Sequence, residues 1–202
     1  MTIVVGITGG IGAGKSTVTD YLINQKLSVH DSDKEVRKMY SKPSKRFLIL
    51  LNKIGLEKAV VGKAINKKKI TEVIFRTPDV KKNLEKYIHG QVRLKRESFI
   101  KQAKKNKNKI IFIDVPLLLE NKLDKEFNKI LCIISKRGNR YKRIKSSRKI
   151  SKKHFMMIVK NQTTDVERIK RSDKVIYNNF SKKDLFLNVK KFLRSLDKWE
   201  KL

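Results

Sequence analysis

Short, nearly continuous apolar runs recur along the chain, separated by longer stretches in which apolar residues return with a helical period. Such runs are typical of strands buried on both faces of a parallel sheet, because neither face of these strands meets water. The pattern predicts strands near residues 3–7, 27–30, 109–114, 129–135 and 173–179. Strands that alternate with helices favour an α/β fold with a parallel sheet between layers of helices.

A long helical stretch interrupts this alternation. From about Ser41 to Lys109 the pattern is polar and helical, without a strong strand signal, and it includes a long helix near residues 80–104. A final helix over residues 181–202 carries one apolar stripe that should pack on the sheet. The members of this stripe are Leu185, Val189, Phe192, Leu196 and Trp199. The length of 202 residues fits one α/β domain with a smaller helical insertion.

The most informative motif lies at residues 9–16. The sequence GGIGAGKS fits G-x-x-x-x-G-K-[ST], a loop whose backbone N–H groups cradle phosphate oxygens. A chance match is disfavoured because the motif follows a predicted strand and precedes a helix, whose N-terminal dipole attracts anions. We expect Lys15 to reach the β- and γ-phosphates and the Ser16 hydroxyl to bind Mg²⁺. The predicted nucleotide-binding residues are Gly9, Gly10, Gly12, Ala13, Gly14, Lys15, Ser16 and Thr17.

Carboxylates follow two of the predicted strands. Asp31 and Asp33 come directly after the second strand, and Asp114 ends the third. Ligands of open α/β sheets lie at the carboxyl ends of strands, so these acids are expected near the phosphate loop. The alternatives are that Asp31 or Asp33 caps the helix beginning at Lys34, and that Asp114 only ends its strand. As a functional group, Asp114 would hold Mg²⁺ through water or orient a substrate.

Residues 121–124 also fit N-K-x-D, a motif that reads guanine in GTPases. That motif should follow a later strand, whereas here it lies shortly after Asp114 with no strand between. The residues from Asp114 onward also fail to match D-x-x-G. The nucleotide is therefore expected to be ATP.

Four arginines fall in a Lys/Arg-rich helical stretch that ends near Gln162: Arg137, Arg140, Arg143 and Arg148. In a phosphotransferase, arginines in such a place close over the nucleotide as a lid and stabilise the transferring charge. The alternative is a solvated basic face. At least one functional arginine is expected, because phosphoryl transfer relies on such cations.

The chain has a net charge of +32, with 51 Lys and Arg against 19 Asp and Glu, which suggests a nucleic-acid or membrane partner. The lysines are spread over nearly every predicted surface segment, however, and the chain is rich in Lys, Asn and Ile together. This pattern favours a compositional drift of the kind that an AT-rich genome causes. We expect weak, salt-sensitive binding to RNA and no specific nucleic-acid partner.

No window of about 18 apolar residues occurs, so no transmembrane helix and no membrane partner are expected. The N-terminal apolar stretch lacks a preceding basic segment and a small-residue cleavage site, so no signal peptide is expected from this pattern. Cys132 is the single cysteine and excludes an intrachain disulfide. We expect a cytoplasmic protein that is a monomer or a small homo-oligomer.

Further short motifs run in order over nearly the whole chain. They are GITGGIGAGKST at residues 6–17, Asp31 with Asp33, Ile74-Phe75, Leu84-Glu85 with Ile88-His89, DVPLLLEN at 114–121, Gln162, and VI-x-NN at 175–179. In this combination the chain resembles the dephospho-CoA kinase family. The resemblance implies a P-loop NTPase-type three-layer fold and ATP-dependent phosphorylation of the ribose 3′-hydroxyl of dephospho-CoA, the last step of coenzyme A synthesis.

The resemblance also implies a division of the single kinase domain. It places a nucleotide-binding core at about 1–40, 108–136 and 172–202. A helical CoA-binding region would cover about 41–107, and a lid about 137–165.

Roles for individual residues follow from the same resemblance. It makes Asp33 the catalytic base, which takes or orients the proton of the ribose hydroxyl. His89 matches a histidine on the substrate side, although a lone histidine in a helix is more often a structural or surface residue. Arg143 and Arg148 match the lid arginines. Asn178 and Asn179 would lie near the adenine. Independently of the resemblance, the strand-end positions of Asp31 and Asp114 place these two acids near the substrate.

The chain departs from the family pattern on the substrate side. Gly90 follows His89 where the family usually has Pro, the two lid arginines are five residues apart instead of four, and Phe180 replaces a common Gly. Lys68 or a neighbour takes the place of an arginine before Ile74. These departures concern the detailed structure of the substrate side and not the reaction. Two alternatives to the implied reaction stay open for other reasons. One is another small-metabolite or nucleoside monophosphate kinase, and the other is a basic P-loop protein that binds nucleic acid.

Overall fold

The computed structural model describes residues 2–62 and 64–196. The chain forms two units, one of Met1–Asp31 with Ile100–Leu202 and one of Ser32–Phe99. Within the described residues, the strands are β1 (Ile3–Gly9), β2 (Val29–Asp31), β3 (Val60–Val61), β4 (Ala64–Ile65), β5 (Ile110–Asp114), β6 (Lys129–Ile134) and β7 (Lys174–Tyr177). The α-helices of the same residues are α1 (Lys15–Asn24), α2 (Ser32–Ser41), α3 (Lys45–Lys53), α4 (Lys67–Arg76), α5 (Pro78–Lys105), α6 (Arg137–Arg148), α7 (Lys152–Lys160), α8 (Asp165–Lys170) and α9 (Lys182–Ser195).

The first unit is built on a parallel sheet with the strand order β2-β5-β1-β6-β7. This sheet confirms the α/β fold predicted from the apolar runs. Its central strand is β1, whose Val5 lies opposite Phe112 of β5 on one side and Lys129 of β6 on the other. The loop that follows β1 therefore emerges from the middle of the sheet at the carboxyl ends of the strands, where ligands of such sheets bind.

The core of this unit lies around the central strands. Val5, Ile7, Phe112 and Leu131 have no exposed surface, as expected for strands covered on both faces. Burying each of these side chains contributes roughly 1.5–3 kcal/mol. Cys132 of β6 is likewise fully buried and forms no disulfide.

Helix α9 packs against this core along the stripe predicted from its spacing. Leu185, Val189, Phe192 and Leu196 are all buried. Trp199, the last member of the predicted stripe, and the remaining chain end lie outside the described residues. The helix begins with a capping box, in which the Ser181 hydroxyl accepts the N–H of the third helical residue.

The second unit consists of helices and one small hairpin. Its core contains Phe47, Leu51, Leu56, Ile70 and Leu84. Helix α5 extends over 28 residues and confirms the long helix predicted near residues 80–104. None of the described helices combines the length and the apolar character needed to cross a membrane.

The hairpin of β3 and β4 was not predicted. The two strands pair antiparallel, with Val60 opposite Ile65, and Gly62 has a φ of +60° between them. The structure therefore adds a short hairpin to a region in which the sequence showed no strong strand signal. Two residues per strand are too few to show the alternation from which a strand is recognised in a sequence.

The region after β6 is also more divided than predicted. One helical stretch was expected as far as Gln162, but α6 ends at Arg148 and Lys149 takes a left-handed conformation with a φ of +53°. Helix α7 then begins at Lys152 and is capped by Ser151, whose hydroxyl accepts the N–H of His154 at 3.2 Å. The short helix α8 was missed because six residues carry too little periodicity to be recognised.

Candidate active site

The phosphate loop leaves the carboxyl end of β1 and enters α1 at Lys15. Gly14 caps α1 with a φ of +105°, a left-handed conformation that residues with a Cβ atom rarely adopt. The Ala13 N–H donates to the Gly10 carbonyl at 3.0 Å and closes the loop on itself. Ser16 lies exposed in the first turn of α1. The positive end of a ten-residue helix thus stands at the edge of the sheet where the strands end.

Lys15 is paired with Asp114, the last residue of β5. The ammonium group donates to Oδ1 of this carboxylate. The Thr19 hydroxyl, one turn further along α1, donates to Oδ2 at 2.7 Å. Burial raises the pKa of Asp114 from its ordinary value, although the charge and hydrogen bond of Lys15 and the hydrogen bond of Thr19 act in the opposite direction. The structure therefore joins these two predicted residues, while the role of Asp114 toward a substrate or metal stays a prediction.

Asp31 lies opposite Asp114 in the register of β2 and β5. Its charge is a further cause of the raised pKa of Asp114. Among the described residues, no group of three or more His, Cys, Asp and Glu side chains is arranged to hold a metal ion. Mg²⁺ normally takes one or two protein carboxylates together with phosphate oxygens, so such a group is not required. The oxygen donors of Ser16, Asp31 and Asp114 are of the kind that suits this ion.

Three consecutive carbonyl groups of the phosphate loop accept hydrogen bonds from side chains of other elements. The pairs are Arg140 Nε to the Ile11 oxygen at 2.8 Å, Arg143 Nη1 to the Gly12 oxygen at 3.2 Å, and Asn178 Nδ2 to the Ala13 oxygen at 2.8 Å. In a trans peptide the N–H points away from the C=O, so the N–H groups of Gly12 and Gly14 face the opposite side. Loops of this kind bind phosphate on a concave surface formed by their backbone N–H groups.

Arg143 is the more deeply placed of the two predicted lid arginines. Its Nη1 also donates to the Ser135 hydroxyl at 3.1 Å, and its Nη2 donates to the backbone oxygen of Asn178 at 2.9 Å. Burial lowers the pKa of Arg143 from its ordinary value. Arg148, in the last turn of α6, is exposed and makes no ion pair within the described residues. The structure thus joins Arg143 to the phosphate loop but not Arg148.

The two asparagines after β7 have different surroundings. Asn178 is buried against Ala13 of the phosphate loop. Asn179 instead accepts the N–H of Lys136 on its Oδ1 at 2.7 Å, and its backbone oxygen accepts from Asn139. Their predicted place near the adenine stays a prediction.

Asp33 and His89 belong to the second unit. Asp33 is exposed in the first turn of α2, directly after Ser32, and is therefore open to a ligand. His89 is exposed on α5, while the preceding Ile88 packs on the core of this unit. The assigned roles of both residues toward the acceptor stay predictions.

Sequence reasoning missed the importance of Arg140 and Thr19 in this site. Arg140 is only 3% exposed and was not separated from the other arginines of its stretch. One signal was present, because Arg140 and Arg143 are three residues apart and so share one face of a helix. Thr19 follows Lys15 by four residues and is likewise on the same face of α1.

Comparison with known proteins gives a consistent result over almost the whole chain. The family model for dephospho-CoA kinase matches residues 3–184. The dephospho-CoA kinase of Fusobacterium nucleatum is 38% identical over 197 residues, which cover 96% of this chain and 98% of the relative. A crystal structure from Thermus thermophilus matches with a TM-score of 0.76 and 26% identity, covering 96% of this chain and 98% of that one.

A dephospho-CoA kinase structure from Campylobacter jejuni has the same fold, with a TM-score of 0.73, 24% identity and 98% of both chains covered. The matched residues include the phosphate loop, Asp114 and Asn178, which the structure brings together. The chain therefore belongs to the dephospho-CoA kinase family.

Proposed function

We propose that this protein transfers the γ-phosphoryl group of ATP to the ribose 3′-hydroxyl of dephospho-CoA and so completes coenzyme A. The observation that carries the proposal is a phosphate loop with Lys15 held on Asp114, in a chain whose dephospho-CoA kinase match spans residues 3–184. The loop geometry supports transfer from a nucleoside triphosphate, and the family membership supports the choice of acceptor.

The nucleotide half of the reaction is assigned to the loop and to Lys15. An ammonium group has three N–H donors, and Asp114 accepts one of them, so two are left for phosphate oxygens. The N–H groups of Gly12 and Gly14 and the start of α1 add donors on the same side. Asn179 is assigned to the edge of the adenine through its Nδ2, because its Oδ1 already accepts from Lys136 and the Nδ2 of Asn178 donates to Ala13.

Mg²⁺ is part of the proposal. Ser16, Asp31 and Asp114 offer a hydroxyl and two carboxylates at adjacent strand and helix ends, and these hard oxygen donors fit the ion. When bound, Mg²⁺ neutralises charge on the β- and γ-phosphate oxygens. The residues of this chain orient those phosphates, and they do so through Lys15 and the loop.

The acceptor half is assigned to Asp33, His89 and Arg148. Asp33 would accept or orient the proton of the ribose hydroxyl for in-line attack. His89 would bind the acceptor. Arg148, an exposed cation in the last turn of α6, would neutralise charge on the transferring group. The helical region at about 41–107 would bind the CoA moiety, and residues 137–165 would close as a lid.

The decisive experiment measures ADP release and product formation with ATP, Mg²⁺ and dephospho-CoA. We expect turnover by the wild-type protein and a loss of at least about 100-fold in Lys15→Met, which lacks the phosphate-binding cation. Substitution of the exposed Lys101 by Met is the matched control and should retain activity. A folded wild-type sample that fails to phosphorylate dephospho-CoA would overturn the proposed activity.

An acceptor panel tests the remaining alternatives. Nucleoside monophosphates and other small metabolites that carry a hydroxyl group should be poor acceptors, and faster turnover of any of them would replace the proposed substrate. RNA affinity should be lost by about 0.2 M salt if the high charge is diffuse, whereas a nucleic-acid-binding protein would retain its affinity at this salt concentration.

The protein is further proposed to be a monomer or a small homo-oligomer. A cytoplasmic location is proposed because its single cysteine is reduced.

A further inference from the structure

The peptide groups on both sides of Ile11, inside the phosphate loop, are each held by a side chain from the segment that follows β6. The Ile11 N–H donates to Oε1 of Gln162 at 2.9 Å. The Ile11 carbonyl accepts from Nε of Arg140 at 2.8 Å. Gly10 and Gly12 flank this residue, and glycines leave a backbone free to rotate unless something fixes it. Arg140 and Gln162 supply that restraint.

Arg140 is itself fixed at its other end. Its Nη1 donates to both carboxylate oxygens of Asp165, at 3.2 and 3.1 Å. Its guanidinium also lies so close to Gly10 that a Cβ atom on that glycine would collide with it. With 3% of its surface exposed, the Arg140 side chain is closely surrounded, and such packing restricts its choice of rotamers. Burial lowers the pKa of Arg140, and the charge of Asp165 opposes this shift.

A second arginine extends the network away from the loop. Arg168, 2% exposed, donates to Asp165 at 3.3 Å and to Glu120 at 2.7 Å. The same oxygen of Glu120 accepts the N–H of Thr163 at 2.8 Å, next to Gln162. Two cations and two anions therefore balance in a cluster whose arginines are buried, while the Asp165 side chain is 38% exposed. Loss of one member would leave a partner charge without compensation.

We propose that Arg140 and Gln162 are positioning residues for nucleotide binding, which hold the Ile11 peptide groups so that the phosphate loop is shaped before ATP arrives. Because Gln162 occupies the Ile11 N–H, phosphate is bound by the other N–H groups of the loop. Without Arg140 or Gln162, the loop would populate other conformers. The apparent affinity for the nucleotide would then fall in proportion to the fraction of molecules whose loop has the binding conformation. The inference rests on the proposed function only in that the loop binds an adenine nucleotide.

The test is the affinity of the full chain for ADP, measured by calorimetry below the onset of thermal unfolding. Arg140→Gln should weaken ADP binding by about tenfold or more, as expected for loss of a charged hydrogen bond. Lys142→Gln removes the same charge from an exposed position of α6 and should change the affinity by less than about twofold. In the kinase assay, Arg140→Gln should raise KM for ATP and leave KM for the acceptor unchanged, a split that general destabilisation would not produce.

Gln162→Leu is the second variant, because it removes the other restraint without creating a buried charge. It should weaken ADP binding about three- to tenfold. A folded Arg140→Gln protein that binds ADP within about twofold of the wild type overturns the inference. If that variant does not fold, an unchanged affinity in Gln162→Leu overturns it instead. ADP binding by a wild-type protein that fails to phosphorylate dephospho-CoA would refute the proposed function and leave this test intact.

Discussion

The side-chain amide of Asn178 fills the space beside Gly14 that a Cβ atom would need. Its Nδ2 donates to the Ala13 oxygen at 2.8 Å, immediately before Gly14. Two features therefore require glycine at position 14. One is its φ of +105°, and the other is the close approach of the Asn178 amide. The end of β7 thus packs directly against the phosphate loop, although Asn178 and Ala13 are 165 positions apart in the sequence.

Gly14→Ala should therefore destabilise the protein and disable nucleotide binding. The left-handed backbone and the collision with Asn178 together should cost about 2–4 kcal/mol of unfolding free energy. ADP affinity should fall by at least about tenfold, because the N–H groups of the loop are displaced. Urea unfolding and calorimetry measure the two effects. Gly138→Ala is the matched control, since nothing lies near that glycine in α6, and it should stabilise the helix by about 0.5–1 kcal/mol.

Asp33→Asn should separate chemistry from nucleotide binding. If Asp33 takes or orients the proton of the hydroxyl, kcat should fall by about 10²–10⁴-fold while KM for ATP stays nearly unchanged. Steady-state kinetics with dephospho-CoA measure both constants. Glu35→Gln changes another acid in the first turn of α2 and should leave kcat within about twofold. A near-normal rate in Asp33→Asn would remove this residue from the mechanism.

Arg143 and Arg148 should respond differently to substitution by Gln. Arg143→Gln removes hydrogen bonds to the loop and to Asn178, so it should lower the unfolding free energy by about 2–4 kcal/mol. Arg148→Gln should change stability by less than about 0.5 kcal/mol because the residue is exposed. The kcat of the Arg148→Gln variant should nevertheless fall by about tenfold or more if Arg148 neutralises charge on the transferring group. An unchanged kcat would show that another cation has that role.

The raised pKa of Asp114 predicts a pH dependence of stability. Burial is the largest cause, and it makes the folded state hold the proton more tightly than the unfolded state, where the carboxyl titrates near 3.8. The contribution of Asp114 to stability is therefore fully present below about pH 3.8 and is lost as the pH rises through the folded-state pKa. Urea midpoints of the wild type and Asp114→Asn, compared over this range without nucleotide, should show their difference falling with pH. A difference that rises would mean that Lys15 outweighs the burial.

Sequence patterns within single segments predicted much of the fold and part of the candidate site. The apolar runs predicted the parallel strands because a strand that is buried on both faces consists of consecutive apolar residues. The spacing of the glycine motif identified the phosphate loop. The hairpin at Val60 and the helix at Asp165 were missed because they are too short for periodicity. The contact of Arg140 with Ile11 was also missed, since it joins residues 129 positions apart and depends on how α6 packs. No pattern within a single segment contains that information.

The burial of Cys132 gives this protein an internal reporter. Desolvation within β6 raises the pKa of its thiol to about 11, so almost no thiolate forms near neutral pH while the sheet is intact. A thiol reagent should therefore label this cysteine only in molecules whose central strands have opened. Because the chain has no other cysteine, the labelling rate measures the opening of the sheet at one known place. Slower labelling in the presence of ATP would then measure how far the nucleotide protects the sheet.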